Sequence, residues 1–401
     1  MHPNCSPHDG ERARRASWAF STRRVPPETV RQLLPLVGAP QAGDLILAKV
    51  DSLGQHPGLQ LPCGRRKQLF PGDEIVVAYG NRYASNQFES VVPETLGPCH
   101  LAAGGGIASR VLSWHVKMTK GPTQITPIAL LGTADARRVN LADYAIERLP
   151  FIRTAPPCAI TVVGTGMDSG KTQSCAFLVR GLIGAGLNVG YAKITGTGAG
   201  GDFWMLTDAG ARPVIDFTDA GMATTYLASP EQVEQVLLTL VGHLAHSGVD
   251  AMVLEIADGV LQRETSALLR SPVFANLVGG IIMASQDSMG AAAGVQWLRR
   301  HADPPVLALS GIISAAPLQA REAVAELALP VYDRQGLATP ANAMRILAAA
   351  QRHAEQARQR RRKPPKGQHH ERYNAMEASA GLTGSAARAF AAAGPQERPE
   401  S

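Results

Sequence analysis

Between residues 43 and 150 the apolar positions come in short runs cut by turn residues. The runs are "DLILAKV", "GLQLP", "DEIVVAY" and "ITPIALL", with "PGD" and "GNR" between them. This texture predicts a small strand-rich domain. Ahead of it, residues 1–42 read as a leader ending in a short helix, "PETVRQLLPLV". Inside it, "LAAGGGIASRVLSWHV" (101–116) predicts a glycine turn feeding one helix. The glycines read as a flexible connection, with ligand contact as the alternative.

From residue 157 the pattern changes. Strand "AITVV" enters a glycine loop and helix "KTQSCAFLVRGLIGAG"; strand "NVGYAKI" and a loop-rich insert (195–228) follow. Helix "PEQVEQVLLTLVGHLAHSG" has Ser229 as N-cap and Pro230 in its first turn. Then come "AMVLEIA", "VGGIIMAS", helix "MGAAAGVQWLRRH", "PVLALSG", helix "LQAREAVAEL" and strand "PVYD". Apolar strands alternating with helices predict an α/β fold over 157–350: a doubly wound parallel sheet. Ligands of such sheets sit at the carboxyl ends of the strands. A last helix, "PANAMRILAAAQRHAEQARQRRRK", runs into a basic tail (351–401) rich in Pro, Gly, Ala and Ser beyond Pro364, whose composition predicts disorder.

Charge alters this picture less than it first promises. The 401-residue chain carries +6, but residues 352–372 hold eight Arg or Lys against two Glu and account for all of it. The rest is neutral, so nucleic acid is not an expected partner, and the arginine-rich helix end reads as a solvated face. Five cysteines without a C-x-x-C pair argue against a disulfide framework or a zinc ribbon and suit a reducing cytoplasm. No apolar run is long enough to span a membrane. Adjacent Cys99 and His100 are weak candidates for a nucleophile and base, and a homodimer is left open.

The chemistry concentrates in "GTGMDSGKT", residues 164–172. A phosphate loop needs glycines so that backbone N–H groups can turn inward, a helix N-terminus, a lysine for the terminal phosphates and a hydroxyl for Mg²⁺. Gly164, Thr165, Gly166, Met167, Asp168, Ser169, Gly170, Lys171 and Thr172 supply that set between a strand and a helix. The expected ligand is ATP or GTP, with ATP favoured. The spacing is one residue longer than G-x-x-x-x-G-K-[ST].

That longer loop resembles the one in dethiobiotin synthetases, G-T-D-x-x-x-G-K-T, with Gly166 in place of the family's Asp. A related uncharacterised two-domain P-loop family shares the length. The resemblance, which covers about 158–335, implies a substrate-contacting lysine after the second strand, matched by Lys193 in "YAKITG". It also implies two Mg²⁺ ligands, matched by Asp202 in "GDFWML" and Glu255 in "MVLEIADGV". Mg²⁺ favours such hard oxygen donors, and Thr172, Asp202 and Glu255 all follow parallel strands and can converge. A helix-start role for Asp202 stays open, and Asp258 is the alternative to Glu255. Asp216 and Asp219 read equally as substrate-facing or turn residues. "ASQDSMG" and "LSGIIS" end later strands, where adenine or substrate could bind. Ser310 and Gly311 stand where the family has a base-contacting Asn.

The resemblance implies an ATP- and Mg²⁺-dependent ligase-like enzyme that phosphorylates a small-molecule carboxylate or carbamate. Lys171 and Lys193 would be its catalytic residues. Two other readings stand beside it: a nucleotide-driven switch or maturation ATPase acting on a protein partner, and a small-molecule kinase.

Overall fold

The computed structural model describes residues 9–150 and 156–362. The described residues up to Glu355 form one compact unit. The remainder of the basic tail and its expected disorder, with Cys5, lie outside the described residues.

The first half is mostly antiparallel strand. Its main strands are β1 (Leu45–Ser52), β2 (Glu74–Tyr79), β3 (Cys99–Ala103), β4 (Ile107–Trp114) and β5 (Thr123–Gly132). Antiparallel pairing runs β2–β1–β5–β3–β4, and a parallel pair between β4 and β2 closes the ring. Closure removes the exposed sheet edges that a five-stranded sheet would otherwise leave. Both strand faces are apolar for a reason: Ile46, Ala48 and Val50 join one core cluster with Ile75, Val77 and Leu101, while Leu45 and Leu47 join another with Trp18, Val25 and Val30 from the N-terminal segment.

Two local expectations are corrected here. The residues expected to form a helix after the glycine run are strand β4, because they pair with both β3 and strand Phe88–Val91. Gly104–Gly106 make the hairpin turn between β3 and β4. The short helix expected in "PETVRQLLPLV" is a 3-10 turn, Pro27–Thr29, followed by strand Gln32–Leu34 on β5. Pro35 disfavours helical backbone at Leu34, and the β5 edge takes up the extended chain.

The second half is an α/β domain with a wholly parallel six-stranded sheet. Its strands are β6 (Cys158–Gly164), β7 (Val189–Lys193), β8 (Val214–Asp216), β9 (Ala251–Glu255), β10 (Val278–Ala284) and β11 (Val306–Ser310). Their order is β8-β7-β9-β6-β10-β11. Alternate β6 residues face opposite ways, Ala159 and Val163 into one core, Ile160 and Val162 into the other. Helices α1 (Lys171–Gly184) and α5 (Pro340–Arg362) cover the second face; α3 (Pro230–His246) and α4 (Ser288–His301) cover the first. Between them in sequence lies α2 (Gly200–Asp208). α3 opens at the Ser229 cap expected from sequence, and Gln232 completes a capping box with it.

The halves are joined by a buried ion cluster. Arg23 donates to Asp219 at 2.6 Å and to Asp216 at 3.2 Å, with Thr218 as a further partner, and its guanidinium lies 4.2 Å over the Phe20 ring. Asp216 and Asp219 therefore bind the N-terminal segment and turn the chain within the insert. The glycine run matters here too: a Cβ on Gly105 would fall 1.8 Å from the Gly198 carbonyl. Only glycine permits that backbone approach. No helix among the described residues is long and apolar enough to cross a membrane.

Candidate functional site

The parallel strands end on one edge, and the predicted residues gather there. β6 passes through residues 165–170 into α1, whose N-cap, Gly170, has φ +95°. A Cβ at Gly170 would also meet Gly311 at 2.9 Å, so backbone conformation and crowding both require glycine. Lys171 is buried and folds back over the loop, its Nζ donating to the Gly166 carbonyl at 2.8 Å. Burial holds its pKa below the ordinary lysine range, with Glu255 opposing. Ser169 is fully buried, and its hydroxyl has no partner among the described residues.

Strand register brings the next two groups together. Lys193 and Glu255 are direct neighbours on parallel β7 and β9. Lys193 Nζ lies 3.1 Å from Glu255 Oε1 and also contacts Asp202 Oδ2. Thr172 Oγ1 donates to Glu255 Oε1 at 3.2 Å and Tyr191 donates to Oε2 at 2.9 Å. The hydroxyl and two carboxylates predicted from sequence thus converge, with the Lys193 ammonium between the carboxylates. Burial disfavours the charge on Lys193, but Asp202 and then Glu255 outweigh it and hold the pKa above the usual range. Asp202 is pulled below the carboxylate range for the reciprocal reason: burial would raise it, and Lys193 prevails.

A β-strand feeding a glycine loop, a left-handed N-cap and a lysine-headed helix decide the class. This is a P-loop NTPase-like fold. No family model matches the chain, and no curated protein matches it in sequence. Solved structures resemble about half of it. The signal recognition particle receptor FtsY from Elizabethkingia anophelis aligns at 16% identity with a TM-score of 0.35, over 50% of this chain and 67% of that one. The signal recognition particle 54 kDa protein from Aeropyrum pernix K1, solved in complex with GDP, aligns at 16% identity and TM-score 0.33, over 51% of this chain and 50% of that one. A DUF1611 family protein from Anabaena variabilis aligns at 14% identity and TM-score 0.37, over 53% and 63%.

The strand-rich half is the part of the site that sequence motifs do not reveal. It supplies the second wall of a cleft of about 630 Å³ whose first wall carries Lys171, Thr172, Lys193, Asp202 and Glu255. His56, Gln60, Arg66, Arg82, Tyr83 and Gln87 come from the barrel side. Two hydrogen bonds fasten this wall to the first: Gly200 N donates to Gln60 Oε1 at 2.7 Å, and Asn86 Nδ2 donates to Asp168 Oδ2 at 2.8 Å. The signal available in sequence was the polar stretch "GNRYASNQ", which reads there only as a strand breaker.

Asp258 also lines the cleft, in a left-handed conformation with φ +63°. Burial raises its carboxyl to about 6, with Lys171 and Lys193 pulling the other way. Ser310 and Gly311 lie beneath the phosphate loop. Ser310 accepts from Ser174 at 3.0 Å and donates to the Tyr332 carbonyl at 2.8 Å, while a Cβ at Gly311 would strike the Ser169 carbonyl at 2.1 Å. They brace the loop. In "ASQDSMG", Asp287 is the N-cap of α4. Cys99 is buried with its thiol pushed up to about 12, and His100 Nδ1 accepts from Val111 N, so neither resembles an activated pair.

Proposed function

We propose that this chain uses ATP and Mg²⁺ to phosphorylate a small carboxylate or carbamate, which an amine or similar nucleophile then attacks, releasing phosphate. The observation that carries this is the clasped Lys193 beside the phosphate loop, inside a cleft walled on both sides. A cation already held between two carboxylates marks a place that favours positive charge. The donor set fits Mg²⁺: Thr172, Asp202 and Glu255 are all oxygen donors. Among the described residues no three His, Cys, Asp or Glu side chains form a cage, so these three groups would share the ion with nucleotide oxygens and water. Bound Mg²⁺ supplies charge neutralisation at the phosphates.

The chain's own residues do the rest. The 164–172 amides and Lys171 stabilise charge on the transferred phosphoryl group. Asp202 and Glu255 would help hold the metal, and Lys193, which both carboxylates contact, orients the reacting acid. Asp258, ionised at neutral pH yet basic enough to accept a proton, takes one from the attacking amine. The test is ³¹P NMR of the protein with Mg-ATP and a matrix of acids and amines. ADP and phosphate forming only when both co-substrates are present supports ligation. Turnover that ignores small molecules and responds only to a protein partner supports the switch, a reading favoured by the Asn86–Asp168 contact between barrel and loop.

A further inference from the structure

Arg82 lines the barrel wall of the cleft and is 6% exposed. Among the described residues it has no ion pair. Its partners are neutral: Nη1 donates to the Ala102 carbonyl and to His56 Nε2 at 3.0 Å, and Nη2 to Gln87 Oε1 at 2.6 Å. His56 cannot share a charge with it, because burial and then Arg82 itself push the imidazole down to about 3. The Arg82 Nε–H is buried and has no hydrogen-bond partner among the described residues. Burial lowers the guanidinium to about 10, which leaves it fully protonated at neutral pH.

A buried cation among neutral dipoles is costly unless an anion completes it. Arginine's planar fork suits an oxyanion in two-point contact. Asp258 lines the same cleft, and its charge favours the protonated guanidinium. The cleft therefore has cationic anchors on opposite sides: Lys171 and Lys193 on the phosphate-loop wall, Arg82 on the barrel wall.

We propose that Arg82 forms a second anion subsite, and that the small acid carries a second oxyanion group, distal to the reacting one, which docks there. This rests on the phosphoryl-transfer reading for the reacting end alone. The barrel is then the selectivity element of the enzyme. It reads the far end of the substrate while the phosphate loop handles the near end.

The test is calorimetric binding with an ATP analogue that cannot be hydrolysed and Mg²⁺, and again without them. The probes are dicarboxylates from oxalate to adipate, monocarboxylates of matched length, and phosphonocarboxylates, which distinguish a distal phosphate from a distal carboxylate. Wild type is expected to bind one doubly anionic probe at least tenfold tighter than its singly anionic match. Arg82→Gln, checked for folding by circular dichroism, is expected to erase that preference, and Arg82→Lys to restore part of it. No preference in wild type, or a preference that survives Arg82→Gln, overturns the proposal. If Arg82→Gln does not fold, Arg82→Lys decides: a severalfold loss supports the subsite and an unchanged preference refutes it. Lys171→Ala separates the two readings, because it should cut analogue binding and leave the probe preference. Intact analogue binding in that variant sinks the phosphate-loop reading without touching Arg82.

Discussion

The two walls of the cleft treat their charges in opposite ways. On the phosphate-loop wall, Lys193 is matched by Asp202 and Glu255, which are in turn hydrogen-bonded by neighbours. On the barrel wall, Arg82 is surrounded by a carbonyl, an amide and a neutral imidazole. The first arrangement is complete without ligand and must rearrange to accept one. The second is incomplete until something anionic arrives. Paired carboxylates suit a place that favours positive charge, and a buried cation without an ion pair suits a site whose ligand is the missing charge.

The contrast breaks most visibly at Lys193. Lys193→Met takes from Glu255 and Asp202 the ammonium they share, and removal of one partner from a buried pair costs about 3–5 kcal/mol. Urea unfolding should show that loss, and millimolar Mg²⁺ should raise the melting temperature of the variant more than that of wild type. A variant as stable as wild type would mean that the clasp is ornamental.

Asp258 gives a smaller effect with a definite pH signature. Its folded pKa of about 6 lies above the ordinary 3.8, so the folded state holds the proton more tightly than the unfolded state. Stability from this group is present below about pH 4 and is lost as pH rises towards 6. Asp258→Asn should therefore be near wild type at pH 4 and more stable by roughly 1–2 kcal/mol at pH 7. A gap between the two proteins that does not widen with pH contradicts the burial argument.

Arg82→Met is expected to shift unfolding stability by less than about 1 kcal/mol. The substitution removes a buried charge that has no ion pair among the described residues, and this gain offsets the acceptors it leaves at Ala102, His56 and Gln87. A penalty as large as that of Lys193→Met would erase the difference between the walls. Smallest of all is Asn86→Ala, which deletes an exposed hydrogen bond to Asp168 and should cost about 0.5 kcal/mol by chemical denaturation. A larger cost would mean that the walls are locked together.

The phosphate loop was legible from sequence because its requirements are local: glycines at fixed offsets, a strand before and a helix after. Strand and helix alternation in the second half was legible for the same reason, since each apolar run reports its own burial. The barrel was not. Its closing pair joins β2 to β4, and the residues 107–114 that resemble a helix in isolation become strand only because partners on both sides take up their backbone groups. Arg82 was equally invisible. Nothing beside it in "GNRYASNQ" shows that Ala102, His56 and Gln87 will surround it, or that Asp258 will line the same cleft. Asp216 and Asp219 show the reverse limit: their chemistry was visible, but their partner Arg23 lies far back in what reads as a leader.

The central claim is that residues 164–172 hold a Mg-nucleotide at the joint cleft, with Lys171 as its main charged contact. Titration of Mg²⁺ and an ATP analogue that cannot be hydrolysed into wild type and Lys171→Ala, each confirmed folded, tests this most directly. The account predicts saturable binding to wild type and an affinity weaker by about 100-fold in the variant, close to 3 kcal/mol. Equal affinities, or no nucleotide binding by wild type, would contradict it.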